Sequence, residues 1–272
     1  MEYYKRQIEE KRFYNLFYKE GWEKQTQLID ETIVPHNMLI YWRLVKGHIN
    51  SLEGQQPEIR ALDLGCGYGV LTVLLARMGV KVTAVDISFN AIKIAKKLAC
   101  ANGVEERICF VVAALESLPF KDGYFDYVLG TRVLHHVDIP SSGFQLRRVL
   151  KPEGTGIFWE GTEKNFLLRF ARNYINHIRS IIPIPKFGTN CEHPLTKVEI
   201  NSLGMIFGKH IYIVDAPFYF FGFIDEYFIR QRAGIISKII IDLDALVAKY
   251  LPYLNRYSFH QIIVLEKNGG EK

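Results

Sequence analysis

Ala61-Leu62-Asp63-Leu64-Gly65-Cys66-Gly67-Tyr68-Gly69-Val70, followed by Lys81-Val82-Thr83-Ala84-Val85-Asp86, is the stretch on which the reading of this 272-residue chain turns. It reads as a buried strand that breaks at three alternate glycines, runs on as a helix and returns as a second strand with a carboxylate at its tip. Such a unit suits a nucleoside-like ligand. Glycines let the backbone approach the ligand closely, and the terminal acid can accept hydrogen bonds from ribose hydroxyls.

The glycine spacing narrows the ligand. A dinucleotide fingerprint runs G-x-G-x-x-G and turns its helix N-terminus on a pyrophosphate, whereas here the spacing is G-x-G-x-G, position 70 is Val, and Asp63 precedes the loop. A carboxylate at that place repels a pyrophosphate and suits a ligand carrying an ammonium and a sulfonium. S-adenosylmethionine is such a ligand. The segment resembles the first motif of the class I S-adenosylmethionine-dependent methyltransferases. That resemblance implies cofactor contacts from Asp63, Gly65, Cys66, Gly67 and Gly69, and a ribose-binding role for Asp86, with Ile87 stacking on the adenine.

Two downstream stretches extend the resemblance to the small-molecule branch of that family. Leu115-Glu116-Ser117-Leu118-Pro119-Phe120 and then Lys121 to Val128 match the loop after the third strand and the fourth strand itself. The family usually places an adenine-binding Asp two residues before that Glu, and this chain has Ala114 there. Adenine recognition is then expected from backbone groups at Ala114 and Leu115, from Ile87, or from another side chain. Thr131-Arg132-Val133-Leu134-His135-His136-Val137 follows the fourth strand. The resemblance sets Thr131 beside the methionine part of the cofactor and the two histidines toward the acceptor. A histidine titrates near neutrality and suits removal of an acceptor proton, so His136 and His135 are the candidate bases.

Glu160 closes the fifth strand and is the third catalytic candidate; as a base it would need a raised pKa, as an anchor for a polar substrate group it would not. Tyr14 and Tyr18 stand four residues apart on the first helix, hence on one face, and are expected to cover the cofactor. Plain packing is the alternative for both tyrosines, packing or a local hydrogen bond for one of the two histidines, and a solvated strand-end acid for Glu160. His193, in Cys191-Glu192-His193-Pro194, lies where the family places a substrate cap, with a structural turn as its alternative. No metal site is expected, because His135 and His136 are neighbours rather than i and i+4 partners.

From these motifs outward, the expected fold is α/β, a doubly wound Rossmann-like seven-stranded sheet, mostly parallel with the last strand antiparallel. Residues 1–57 read as an aromatic-rich helical cap, 58–160 as the cofactor-binding core, 161–209 as a substrate-cap insertion, and 210–267 as a closing β-hairpin interrupted by an amphipathic helix at about 222–251. Strands are predicted at 60–64, 81–86, 108–112, 125–130, 155–160, 209–216 and 258–267. Core helices are predicted at about 69–78, 89–101 and 141–150. Leu150-Lys151-Pro152-Glu153-Gly154 reads as a stop before the fifth strand, and Thr196 with Glu199 as a capping box. Ile235, Ile236, Ile239, Ile240, Leu243, Leu246, Val247, Tyr250 and Leu251 recur at helical spacing, so this helix is expected to pack on the domain, with a lid, a homodimer face or a membrane-surface contact as alternatives.

Composition excludes little but agrees. A 49% hydrophobic and 23% charged chain is globular, and a net charge of +5 spread along the sequence does not concentrate as it does in nucleic-acid binders. The charged start MEYYKRQIEEKRFY lacks an apolar signal region, the longest uncharged apolar run (216–224) is too short for a bilayer, and four cysteines without metal spacing suit a reducing cytoplasm, so a cytoplasmic protein is expected. The activity expected is methyl transfer to a small hydrophobic or aromatic metabolite, with a tilt to oxygen. A cofactor-retaining cyclase is the second reading. Nucleic-acid methylation is the third, disfavoured because no Asn-Pro-Pro-Tyr-like motif follows the fourth strand.

Overall fold

The computed structural model describes residues 2–18, 27–163, 193–224 and 234–269. Seven strands form one sheet in the order β3-β2-β1-β4-β5-β7-β6. These are β1 (Arg60–Leu64), β2 (Lys81–Asp86), β3 (Ile108–Val112), β4 (Phe125–Thr131), β5 (Leu150–Gly161), β6 (Ile211–Asp215) and β7 (His260–Glu266). The first five are mutually parallel, and β7 runs antiparallel between β5 and β6. This is the mostly parallel, doubly wound Rossmann-like sheet that the sequence predicts.

Parallel strands need both faces covered, and the alternation of core residues supplies it. On one face Leu129, Ile157, Ile262 and Val264 pack under α2 (Leu39–Leu52), α3 (Val70–Arg77) and α4 (Phe89–Ala101), through Trp42, Val45, Val73, Leu75 and Leu98. On the other, Leu62, Val128, Phe158 and Ile263 meet Leu146 and Val149 of α5 (Ile139–Val149) and Leu203 of α6 (Lys197–Ile206). Helix starts follow local side chains: Ser88 caps α4, Asp138 caps α5, and Thr196 with Glu199 closes the full capping box of α6. The first helix, α1 (Glu2–Phe17), packs against the start of α4. It is tied across the carboxyl edge of the sheet by polar side chains: Arg6 to the His135 carbonyl, Gln7 to Glu116, and Asn15 to Ser88 and Asn90.

Two expectations are corrected here. The helix stops at Val149 as Leu150–Gly154 predicts, but β5 starts at Leu150 rather than 155: Leu150 already pairs with Phe125, and the ladder resumes at Thr155 opposite Tyr127 after a register shift. Glu153 takes a left-handed φ of 65° and its N–H donates to the Lys267 carbonyl, so β5 absorbs the irregular residues as a bulge. The other correction concerns α8 (Gly234–Tyr250), which follows the short helix α7 (Phe221–Ile224). Its side-chain pattern does not bury the predicted apolar stripe: Ile239, Leu243, Leu246 and Tyr250 are exposed, and Asp244 is fully buried. Asp244 turns inward because its carboxylate accepts the N–H groups of Phe220, Phe221 and Gly222, which open α7. The middle of the predicted substrate cap, 164–192, and residues 225–233 lie outside the described residues. Among the described residues, no helix is long and apolar enough to cross a membrane.

Candidate active site

Strand order reverses between β1 and β4, and open α/β sheets bind their ligands at the carboxyl ends of the strands flanking such a point. A cavity of about 820 Å³ lies there, walled by the β1 loop, the tips of β2, β4 and β5, α1, the start of α2 and β7. It falls into two chemically different halves.

The first half is built by the β1 loop and the β2 tip. Gly65 and Gly67 have φ of 60° and 52°, and a Cβ on either would run into Val133 or the Tyr18 hydroxyl, at 2.6 and 2.8 Å. Only glycine keeps both the turn and the close packing. Gly69 is the N-cap of α3, packed on Ala95 behind the cavity. Asp86 is buried, and its two oxygens accept the Gly67 N–H at 2.9 Å and the Ser88 N–H at 2.8 Å. A carboxylate has about four acceptor positions, so two such bonds leave Asp86 capacity for ligand hydroxyls. Asp63 is buried too and accepts the Thr72 hydroxyl at 2.5 Å.

Neither acid is comfortable in its charged form. Burial, and then the charge of Asp86, raise Asp63 to about 7; burial raises Asp86 to about 6. Two buried carboxyls lining one cavity call for a ligand that brings positive charge and hydroxyl donors. S-adenosylmethionine, with an ammonium, a sulfonium and ribose hydroxyls, matches that demand, and Asp63 and Asp86 are the groups that would hold it. Cys66, Ile87, Ala114, Leu115 and Thr131 also line the cavity. At the Ala114 end, Gln7 donates to Glu116 at 2.9 Å, and both line the wall; sequence reasoning passed over this pair because its members are 109 residues apart.

The second half is aromatic. Tyr14 of α1 lines it with Trp42, Trp159, Tyr219 and His260, and stacks at 6.2 Å between ring centroids on Tyr18, which follows the helix and sets its hydroxyl over Gly67 of the first half. Tyr14 places its hydroxyl 3.1 Å from His136 Nε2. His136 therefore faces the cavity, and its neighbour does not. His135 Nδ1 meets Glu160 at 2.8 Å, and neither residue lines the cavity. The Glu160 carboxylate is fully buried and accepts the Val133 and Leu134 N–H groups at 2.7 Å each. Glu160 thus clamps the turn that presents His136, and it has no surface toward an acceptor. His193 sits apart as well, hydrogen-bonded to the Pro194 carbonyl and 3.7 Å from Glu199 at the start of α6.

Several lining residues escaped the sequence reading. His260 opens β7, stacks on Trp159 at 3.8 Å and is held well below the usual histidine range by burial and by the charges of Arg132 and His135. Arg132 takes a left-handed φ of 55°, a strained conformation for a residue with a side chain, and its N–H donates to the Trp159 carbonyl. Glu10, on the buried side of α1, lies 3.2 Å from His136 Nδ1. A lone acid within a run of charged helical residues carries no signal that it is the buried one.

Comparison with known proteins agrees with this geometry. Residues 62–158 match the family model described as "Methyltransferase domain". The chain is 42% identical over 103 residues to the 2-phytyl-1,4-naphtoquinone methyltransferase of Trichormus variabilis, covering 36% of this chain and 45% of that protein. It is 32% identical over 120 residues to the ubiquinone biosynthesis O-methyltransferase of Nitrosomonas europaea, covering 43% and 50%. The matched segments thus span about half the length of these relatives. Among solved structures, geranyl diphosphate C-methyltransferase from Streptomyces coelicolor, crystallised with S-adenosyl-L-homocysteine, superposes with a TM-score of 0.56 at 15% identity over 97% of both chains.

Proposed function

We propose that this chain, a class I S-adenosylmethionine-dependent methyltransferase by family over residues 62–158, transfers a methyl group to the hydroxyl of a small, largely apolar, aromatic acceptor. The observation that carries this reading is the Tyr14–His136 contact, set at 3.1 Å in a cavity wall that also carries Trp42, Trp159 and Tyr219. The printed name of the Nitrosomonas relative, an O-methyltransferase of ubiquinone biosynthesis, favours oxygen, and that of the Trichormus relative, a naphthoquinone methyltransferase, favours an apolar ring system without naming the atom methylated.

Bound S-adenosylmethionine supplies a methyl already activated on a sulfonium, so the chain must bind, align, exclude water and take one proton. Asp63 and Asp86 hold the cofactor's charged and hydroxylated ends. Trp42, Trp159 and Tyr219 offer flat apolar surface to an aromatic ring. Tyr14 accepts the acceptor's hydroxyl proton on its oxygen while passing its own to His136 Nε2, so the proton ends on an imidazolium outside the reacting centre. Glu160 fixes the turn on which His136 sits, without touching the acceptor.

Incubation with methyl-labelled cofactor and a panel of lipophilic phenols, hydroquinones and amines tests the proposal. Label in the phenols or hydroquinones supports it. Tight cofactor binding with label in none of them overturns it and favours a reaction, such as cyclisation, in which the cofactor is retained.

A further inference from the structure

Glu10 is the buried acid for which neither cofactor binding nor the clamp on the 133–136 turn has a use. It lies in the middle of α1, 3% exposed, while its neighbours Glu9, Lys11 and Arg12 are in solvent. A polar helix tied on by polar side chains gains nothing from burying a carboxylate, because removing such a group from water is costly unless an opposite charge meets it. Among the described residues the His136 ring is such a group, with Glu10 Oε2 3.2 Å from Nδ1 as an ion-pair contact without hydrogen-bond geometry. The opposite ring nitrogen, Nε2, is the one 3.1 Å from the Tyr14 hydroxyl. Carboxylate, imidazole and hydroxyl are therefore in series, and the first and last members both come from α1, one helical turn apart.

We infer that Glu10 is a positioning residue for methyl transfer: it fixes His136 with its proton on Nδ1 and Nε2 open to Tyr14, and it stabilises the imidazolium formed when the acceptor's proton arrives. The inference rests on the proposed function for its catalytic meaning. The proton balance is closed: the acceptor O–H proton goes to the Tyr14 oxygen, the Tyr14 proton goes to Nε2, the Nδ1 proton stays facing Glu10, and the extra proton leaves to solvent after turnover. A charge pair that forms only after proton transfer lowers the barrier rather than the ground state. It also makes α1 part of the base: with α1 undocked, His136 loses both its orienting acid and its hydroxyl partner.

Among the described residues, the charged and titratable groups recorded against His136 include Glu10 and Tyr14 from α1, His135 beside it with ring centroids 4.1 Å apart, and Asp86 from β2, whose carboxyl is eased by the charge of His136. Glu10→Gln removes one of these and keeps the shape. In the full-length chain saturated with S-adenosylhomocysteine, the titration midpoint of the His136 ring, followed by NMR and assigned by the signal missing in His136→Ala, is expected to fall by about one unit or more in Glu10→Gln. Glu10→Asp, which keeps the charge, is expected to stay between that variant and the parent. With a phenolic acceptor, Glu10→Gln should lower kcat about 10- to 100-fold with the acid limb of kcat/KM moved to lower pH and cofactor affinity unchanged. An unmoved His136 midpoint in Glu10→Gln, or a Glu10→Asp midpoint displaced as far as that of Glu10→Gln, overturns the inference. Absence of methyl transfer in the parent protein removes the proposed function instead, and leaves the NMR titration to decide what Glu10 does.

Discussion

The cofactor half and the acceptor half of the cavity are made in opposite ways. In the first, Asp63, Gly65, Gly67 and Asp86 lie within one strand-loop-helix-strand unit, and their geometry is set by backbone: β1 ends, glycines turn, and Asp86 accepts the Gly67 N–H across the gap. In the second, Tyr14 and Glu10 come from α1, His136 from the turn after β4, Trp159 from β5 and His260 from β7. No two of these last three elements are sequence neighbours, apart from β4 and β5 with the helix between them. A site written in one segment can be changed only with the segment; a site gathered from many can be retuned one residue at a time. That is the physical sense in which one methyl-donor pocket serves many acceptors.

The two halves should respond separately to substitution. The largest effect is expected for His136→Ala, with kcat reduced about 10²–10⁴-fold while calorimetric affinity for S-adenosylhomocysteine is retained; normal turnover would move the base elsewhere. Asp86→Ala should do the reverse, weakening cofactor binding by about 1–3 kcal/mol through lost charge-assisted hydrogen bonds, and an unchanged isotherm would take Asp86 out of the site.

Proton linkage gives a third, milder test of the first half. Asp86 at about 6 and Asp63 at about 7 are raised by burial, so in the free protein each is increasingly protonated as pH falls through those values. A cationic ligand favours their ionised forms. Cofactor affinity measured from pH 8 down to 5 should therefore fall, steepening toward tenfold per pH unit for each group that must lose its proton, and Asp63→Asn should flatten the upper part of the curve. A pH-independent affinity would mean that the acids do not meet the cofactor's charge. The smallest effect is expected at the adenine end, where Ala114→Asp, restoring the residue that the family resemblance leads one to expect, should tighten binding by about 0.5–1.5 kcal/mol.

The same division explains how far the sequence could be read. The sheet was legible almost strand for strand, because strands buried on both faces must be apolar runs, and the start of α6 was legible in the capping box of Thr196 and Glu199. The cofactor half was legible because its chemistry is contiguous. Elsewhere the local signal misled or was silent. Leu150 to Gly154 read rightly as the helix stop but hid the start of β5, because a bulge at Glu153 lets pairing begin at Leu150 and resume at Thr155. The apolar spacing of α8 pointed its stripe inward, yet capping three N–H groups at the start of α7 turned Asp244 to the interior and left Ile239 and Leu246 exposed. His135 and His136 were indistinguishable as neighbours; the buried Glu160 that claims one and the α1 tyrosine that meets the other are 25 and 122 residues away. Glu10 and His260 had no local mark at all, since their roles exist only once α1 and β7 are in place.

Tyr14→Phe is the single substitution that asks most directly whether the acceptor half carries chemistry separable from the cofactor half. It removes one oxygen from α1 and leaves the ring that stacks beside Tyr18. Steady-state transfer to a lipophilic phenol, with calorimetry of S-adenosylhomocysteine on the same sample, should give a kcat lower by at least about tenfold and a cofactor affinity unchanged. An unaltered kcat, or a loss of cofactor affinity that accounts for the whole loss of activity, would contradict the account.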